Sequence, residues 1–120
     1  MSYENKENGF LEVAIYCETK AYLNSAVNRY YYSILMRMKH LLNFSENSQE
    51  FKGKASHIIL LEEFGKIKKY KSFHSKIFFN FKAIKRLRVK ADYDFESISA
   101  KDFETFKVHF NLLTDLLREV

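Results

Sequence analysis

The chain has 120 residues, 47% of them hydrophobic and 17% aromatic, with no proline, three glycines and one cysteine. Such a chain predicts one domain of long, uninterrupted helices, and excludes an internal disulfide and a turn-rich β-fold. The net charge is +5, which points to a polyanionic partner, nucleic acid first and phosphate-bearing small molecules second.

The amino terminus, Met1–Phe10, is acidic and polar rather than basic and then apolar, so it does not read as a signal peptide. No apolar run approaches the ~18 residues of a membrane span. With one Cys17, these features place the protein in the cytosol as an expectation, with no membrane partner.

Periodicity predicts a first helix over about Glu4–Lys20, with Phe10, Val13, Ala14 and Cys17 on its core side and a start weakened by Gly9. A second runs over Asn24–Leu42, with Asn24 as N-cap. Its core stripe is Val27, Tyr31, Ile34, Met38, Leu41 and Leu42, and Tyr32 and Met36 form a second apolar patch. That makes it either the central helix of a bundle or one shared with another subunit. Asn43–Phe51 reads as a loop. A third helix covers Lys54–Phe64, burying Ile58 and Leu61, with Gly65 at the C′ position.

Lys66–Ser72 reads as a basic connection and Phe73–Tyr93 as a fourth helix. Ten of the twenty Lys and Arg residues lie between Lys66 and Lys90, and no Asp or Glu occurs from Gly65 to Ala91. Ile77, Phe81, Ile84, Leu87 and Ala91 form the inner arc, while Lys76, Lys82, Lys85, Arg86 and Lys90 occupy the outer arcs. Arg88 falls on the inner stripe, where a cation is costly unless it is paired or functional. Asp92, one turn on, offers the pairing: a structural ion pair, or a phosphate-binding arginine braced by its own carboxylate. Phe78 and Phe79 fall outside the inner arc and predict a covering element or a second subunit. After a short loop at Asp94–Ile98, Ser99-Ala100-Lys101-Asp102 forms a capping box. It opens a last helix with Phe103, Phe106, Phe110, Leu113 and Leu117 as its core stripe. The product is an all-α, antiparallel up-and-down bundle of four to five helices.

The four histidines, His40, His57, His74 and His109, form no metal-ligand spacing, so neither metal nor cofactor is expected. There is no phosphate-cradling glycine loop and no G-x-S-x-G, and Cys17 reads as a small core residue.

Asn28-Arg29-Tyr30-Tyr31-Tyr32-Ser33, Lys54-Ala55-Ser56-His57 and Arg88-Val89-Lys90-Ala91-Asp92-Tyr93 occur in that order. Together they resemble the N-R-x-Y-Y, K-x-x-H and R-x-x-A-D-Y segments of small bacterial HEPN-domain proteins. The resemblance runs from the second helix to the end, and Ser99-Ala100 at the start of the last helix fits it. It implies a helical bundle that homodimerises and, in many members, a metal-independent ribonuclease of toxin–antitoxin or phage-defence systems. The usual R-x4-6-H motif would put the arginine at Arg88 and the histidine at Tyr93. Tyrosine, with a pKa near 10, is a poorer proton acceptor than histidine. Phe95 stands where some members carry a tyrosine modified by a nucleotidyltransferase.

Two readings follow from the resemblance. In one, the protein binds or cleaves RNA: Arg88 holds the scissile phosphate, Tyr93 or His57 does acid/base work, and Lys54, Lys82, Lys85, Arg86 and Lys90 steer the strand, with Asp92 and Arg29 as supports. In the other, it is a non-catalytic module that binds a nucleotide, or a nucleotidyltransferase or antitoxin partner. A purely structural helical dimer is a third alternative.

Overall fold

The computed structural model describes residues 2–42, 56–93 and 97–118. These contain six helices and no strand: α1 Tyr3–Thr19, α2 Leu23–Leu41, α3 Ser56–Lys66, α4 Lys68–Lys71, α5 His74–Tyr93 and α6 Ala100–Arg118. The all-α bundle expected from periodicity is therefore present. The basic connection differs in one respect, because it contains the single-turn helix α4. The expected loop at Asn43–Phe51, Lys54 and the segment Asp94–Glu96 lie outside the described residues.

Ser2 caps α1, its hydroxyl accepting from the backbone N–H of Asn5 at 3.2 Å, so the helix begins well before Gly9 despite that residue's low propensity. Ala14 and Cys17 are buried and Phe10 and Leu11 partly so, but Val13 is exposed, a correction to the expected core side. The apolar residues of α1 lie around most of its circumference. α2 settles which of them are covered: Tyr30 Oη donates to Glu18 Oε1 at 2.6 Å and Arg37 Nε to Glu7 Oε2 at 2.9 Å. These two contacts run end to start, so α1 and α2 form an antiparallel hairpin.

The turn between them is a Schellman motif. The N–H of Tyr22 donates to the carbonyl of Cys17 at 2.8 Å and that of Ala21 to the carbonyl of Glu18 at 3.0 Å. Ala21 takes the left-handed position with φ 60°, where glycine is the usual residue.

α2 is the central helix. Ala26, Val27, Tyr30, Tyr31, Ile34, Leu35, Met36 and Met38 are all buried. Met36 is thus covered within the chain, and Tyr32 packs against Phe10 with ring centroids 5.8 Å apart. The second apolar patch on α2 is thus at least partly covered within the chain. Asn24 is not the N-cap. Tyr22 holds that position without a side-chain bond, and Asn24 directs both polar atoms elsewhere: Nδ2 to the carbonyl of Ala91 at 2.9 Å, and Oδ1 to the N–H of Ile98 at 3.0 Å. One amide thereby ties the start of α2 to the end of α5 and to the approach of α6.

In α3, Ile59, Leu60, Leu61 and Phe64 are buried, but Ile58 is exposed, contrary to expectation. Gly65 is not a C′ residue either, because the helix continues to Lys66. Its role is close approach: a Cβ there would lie 3.0 Å from His74 Nε2, the ring nitrogen bonded to the carbonyl of Leu61 at 2.9 Å.

α5 buries Ile77, Asn80, Phe81 and Ile84, and α6 buries Phe103, Phe106, Phe110, Leu113 and Leu117, the full stripe expected of it. Burying a side chain of this size contributes roughly 1.5–3 kcal/mol. The capping box is formed: Ser99 Oγ accepts from the N–H of Asp102 at 3.0 Å, and Asp102 Oδ2 accepts from the N–H of Ser99 at 3.2 Å. Lys90 at the end of α5 meets Asp102 at the start of α6, 3.0 Å apart, so these helices form a second antiparallel hairpin. α2 lies between α1 and the α5–α6 hairpin, with Tyr30 against Phe103, Phe106 and Phe110 of α6 and Tyr31 against Phe81 of α5.

Candidate nucleic-acid interface

The cation on the inner stripe of α5 has an aromatic support. The Arg88 side chain is 14% exposed, and its guanidinium carbon lies 4.8 Å from the centroid of the Tyr31 ring. Nη1 donates to Asp92 Oδ2 at 3.4 Å. Asp92 is held from the other side by Asn28, whose Nδ2 lies 3.1 and 3.2 Å from the two carboxylate oxygens. Tyr31 and Asn28 come from α2, so α2 positions both members of the ion pair.

Burial acts against the charge of Arg88. Tyr31 and the Asp92 hydrogen bond outweigh it, so the guanidinium is held more firmly charged than usual. Burial likewise pushes the Tyr31 phenol up, with Arg88 pulling in the opposite sense, so near neutrality it stays a protonated stacking partner. One donor is unmatched: Arg88 Nε is buried and has no hydrogen-bond partner among the described residues.

Tyr93 lies on a different face of α5 from Arg88. It is 74% exposed. Five helical residues turn it about 140° around α5 from Arg88. It borders an open cleft of about 430 Å³ with Asn24, Asn28, Arg29 and Asp92. Arg29 is exposed and lies over the Phe10 ring, 5.6 Å from its centroid. The backbone of His57 belongs to α3; its side chain and all of Lys54 lie outside the described residues.

Four of the cations expected to steer a strand lie together. Lys82, Lys85, Arg86 and Lys90 border one open groove of about 550 Å³ along α5. The ammonium of Lys85 is pulled below the usual lysine range, first by burial and then by the neighbouring charges of Arg88 and Lys82. Lys90 is committed to Asp102, and Lys82 lies over the Phe78 ring, 5.1 Å from its centroid. Arg86 is exposed.

Two histidines are fixed by neighbours, His74 on the Leu61 carbonyl and His109 Nδ1 on Asn80 Oδ1 at 2.8 Å. Among the described residues no group of three His, Cys, Asp or Glu side chains is arranged to hold a metal ion. None of the described helices is long and apolar enough to cross a membrane.

Sequence spacing does not assign Tyr31 and Asn28 to Arg88 and Asp92, although both lie in the Asn28–Ser33 segment singled out above. Chemically, the arrangement presents surplus positive charge along α5 and keeps Arg88 behind a carboxylate. An anion approaching that guanidinium must compete with Asp92. No family model matches the chain, and comparison with curated proteins and with solved structures finds no significant match.

Proposed function

We propose that the protein is an RNA-directed helical protein of the HEPN type that holds RNA on the basic face of α5. The observation that carries this reading is the groove bordered by Lys82, Lys85, Arg86 and Lys90. Burial first, and then the charges of Arg88 and Lys82, hold Lys85 below the usual lysine range, and bound phosphates would offset the repulsive part. The burial of Arg88 against Tyr31 and its pairing with Asp92 support holding RNA over cutting it. The separation of Tyr93 from Arg88 within one chain supports the same choice.

The test is fluorescence anisotropy of a 5′-labelled RNA oligonucleotide across a salt series. Three phosphate contacts give a log–log slope of about −2 for a single strand, and Lys82→Glu with Arg86→Glu lowers affinity at least about tenfold. Salt-independent binding, or no binding at low salt, overturns the proposal. Incubation with total RNA in EDTA completes it: cleavage lost in Arg88→Ala would replace the holding role by a metal-independent ribonuclease.

A further inference from the structure

The part of α5 that faces away from the core carries more than charge. Phe78 is 42% and Phe79 65% exposed. Both border an open cleft of about 570 Å³ whose lining includes Lys82, Arg86 and His109 and, among the described residues, no carboxylate. An aromatic surface interleaved with cations is what a nucleotide with an unpaired base requires: phosphates meet the cations and the base meets a ring face.

The cleft has a built wall. Asn80 is buried, at 6% exposure, and its Nδ2 donates to the carbonyl of Lys76 at 2.9 Å. That leaves Oδ1 to accept, so the Nδ1 of His109, 2.8 Å away, carries the proton. In the neutral imidazole Nε2 is then the acceptor. A fixed histidine therefore offers one acceptor on a wall of the cleft, suited to a ribose hydroxyl or an exocyclic amine. The Phe79 and His109 rings stand 5.7 Å apart at 65°, forming a corner and not a closed stack.

A second copy of the chain fits this face poorly. Related by a twofold axis through the cleft, it would bring Lys82 and Arg86 of both copies together at an interface whose lining, among the described residues, contains no carboxylate. Duplex RNA fits less well too, because its stacked bases present no free face to Phe79.

We infer that the Phe79–His109 corner of α5 is a base-stacking subsite that selects single-stranded over duplex RNA. The inference rests on the RNA-directed reading above and adds the class of strand and the residues that recognise it. Phe79 is the stacking platform, Lys82 and Arg86 hold the flanking phosphates, and Asn80 is a positioning residue that acts through His109.

The chain contains no tryptophan, so Phe79→Trp installs a single reporter on the exposed ring position. Single-stranded RNA is expected to quench its emission. An oligonucleotide abasic at successive positions, or a duplex of the same length, leaves the emission near its free value. In parallel, Phe79→Ala weakens single-strand binding roughly tenfold and duplex binding less than about twofold. If RNA binds by anisotropy with equal affinity for both strand classes and no quenching, the subsite is overturned while the RNA reading stands. If no RNA binds at low salt, both fall. Emission of the Trp variant that shifts to the blue with rising protein concentration, without RNA, would show a second copy on this face and overturn the subsite as well.

Discussion

Arg88 lies across the ring of Tyr31, its guanidinium carbon 4.8 Å from the ring centroid, and this contact turns a cation on a core stripe into part of the core. The planar group fills the space an apolar side chain would take, while Asp92, itself held by Asn28, accepts from its outer edge. If this packing outweighs the ion pair, Arg88→Met costs little, about 1 kcal/mol or less. Arg88→Ala leaves a void over Tyr31 and removes one partner of Asp92, at about 2–3 kcal/mol. Urea denaturation with unchanged slopes measures both; equal losses would assign the stability to the charge.

Ala21 is expected to gain from replacement by glycine. It closes the Schellman turn at φ 60°, a conformation that costs an L-residue about 1 kcal/mol. Ala21→Gly relieves that strain, and the greater freedom of glycine in the unfolded chain returns part of the gain. The net increase is roughly 0.5 kcal/mol, read as a higher urea midpoint. A lower midpoint would mean that the turn tolerates alanine without strain.

At Gly65 the same kind of exchange has the opposite sign. A Cβ placed 3.0 Å from His74 Nε2 forces the ring aside and strains its bond to the Leu61 carbonyl. Helix propensity favours alanine by about 1 kcal/mol, and the displaced imidazole opposes it by about 1–3 kcal/mol. Gly65→Ala is therefore destabilising in the native background. Measured against His74→Ala alone, the double variant is stabilised by about 1 kcal/mol. A thermal-unfolding cycle in which Gly65→Ala behaves the same in both backgrounds would reject the coupling.

Acid sensitivity is expected at the α5–α6 corner. Asp102 is held below the usual carboxylate range, first by Lys90 and then by the Ser99 N–H. A folded-state value below the unfolded one means that this stabilisation is complete above the unfolded carboxylate value, near 3.9. It is lost as the pH falls from there through the folded value. Asp102→Asn flattens that part of the curve and leaves the slope above pH 6 unchanged. Urea midpoints collected from pH 2 to pH 7 test this; a variant with the wild-type acid limb would place the sensitivity elsewhere.

What the sequence could disclose depended on how local each signal was. Ser99, Asp102 and the Phe103–Leu117 stripe lie within one helix, where spacing alone identifies a cap and a face, and all of them occur as expected. Val13 and Ile58 fall on apolar stripes by spacing yet are exposed, because their helices carry apolar residues on several sides and packing neighbours choose among them. The types of Asn24 and Gly65 invite a helix-end role, yet both act on other segments: Asn24 on Ala91 and Ile98, Gly65 by admitting His74. Arg88 was conspicuous because a cation broke an apolar pattern. Its partner Tyr31 belongs to a distant part of the chain, and nothing in the spacing of either residue encodes that meeting.

The clamp made by Asn24 also bears on the order of assembly. The α1–α2 and α5–α6 hairpins each join neighbours in the chain, so closing either one costs little loop entropy and can occur early. Asn24 reaches between them, and its two hydrogen bonds form only once the hairpins have met end to end. Its stabilisation therefore falls late in folding: removing it quickens unfolding and leaves the folding rate nearly unchanged. The same amide that sets the register of three helices thus acts chiefly as a brake on their separation, governing how long the native bundle lasts more than how fast it forms.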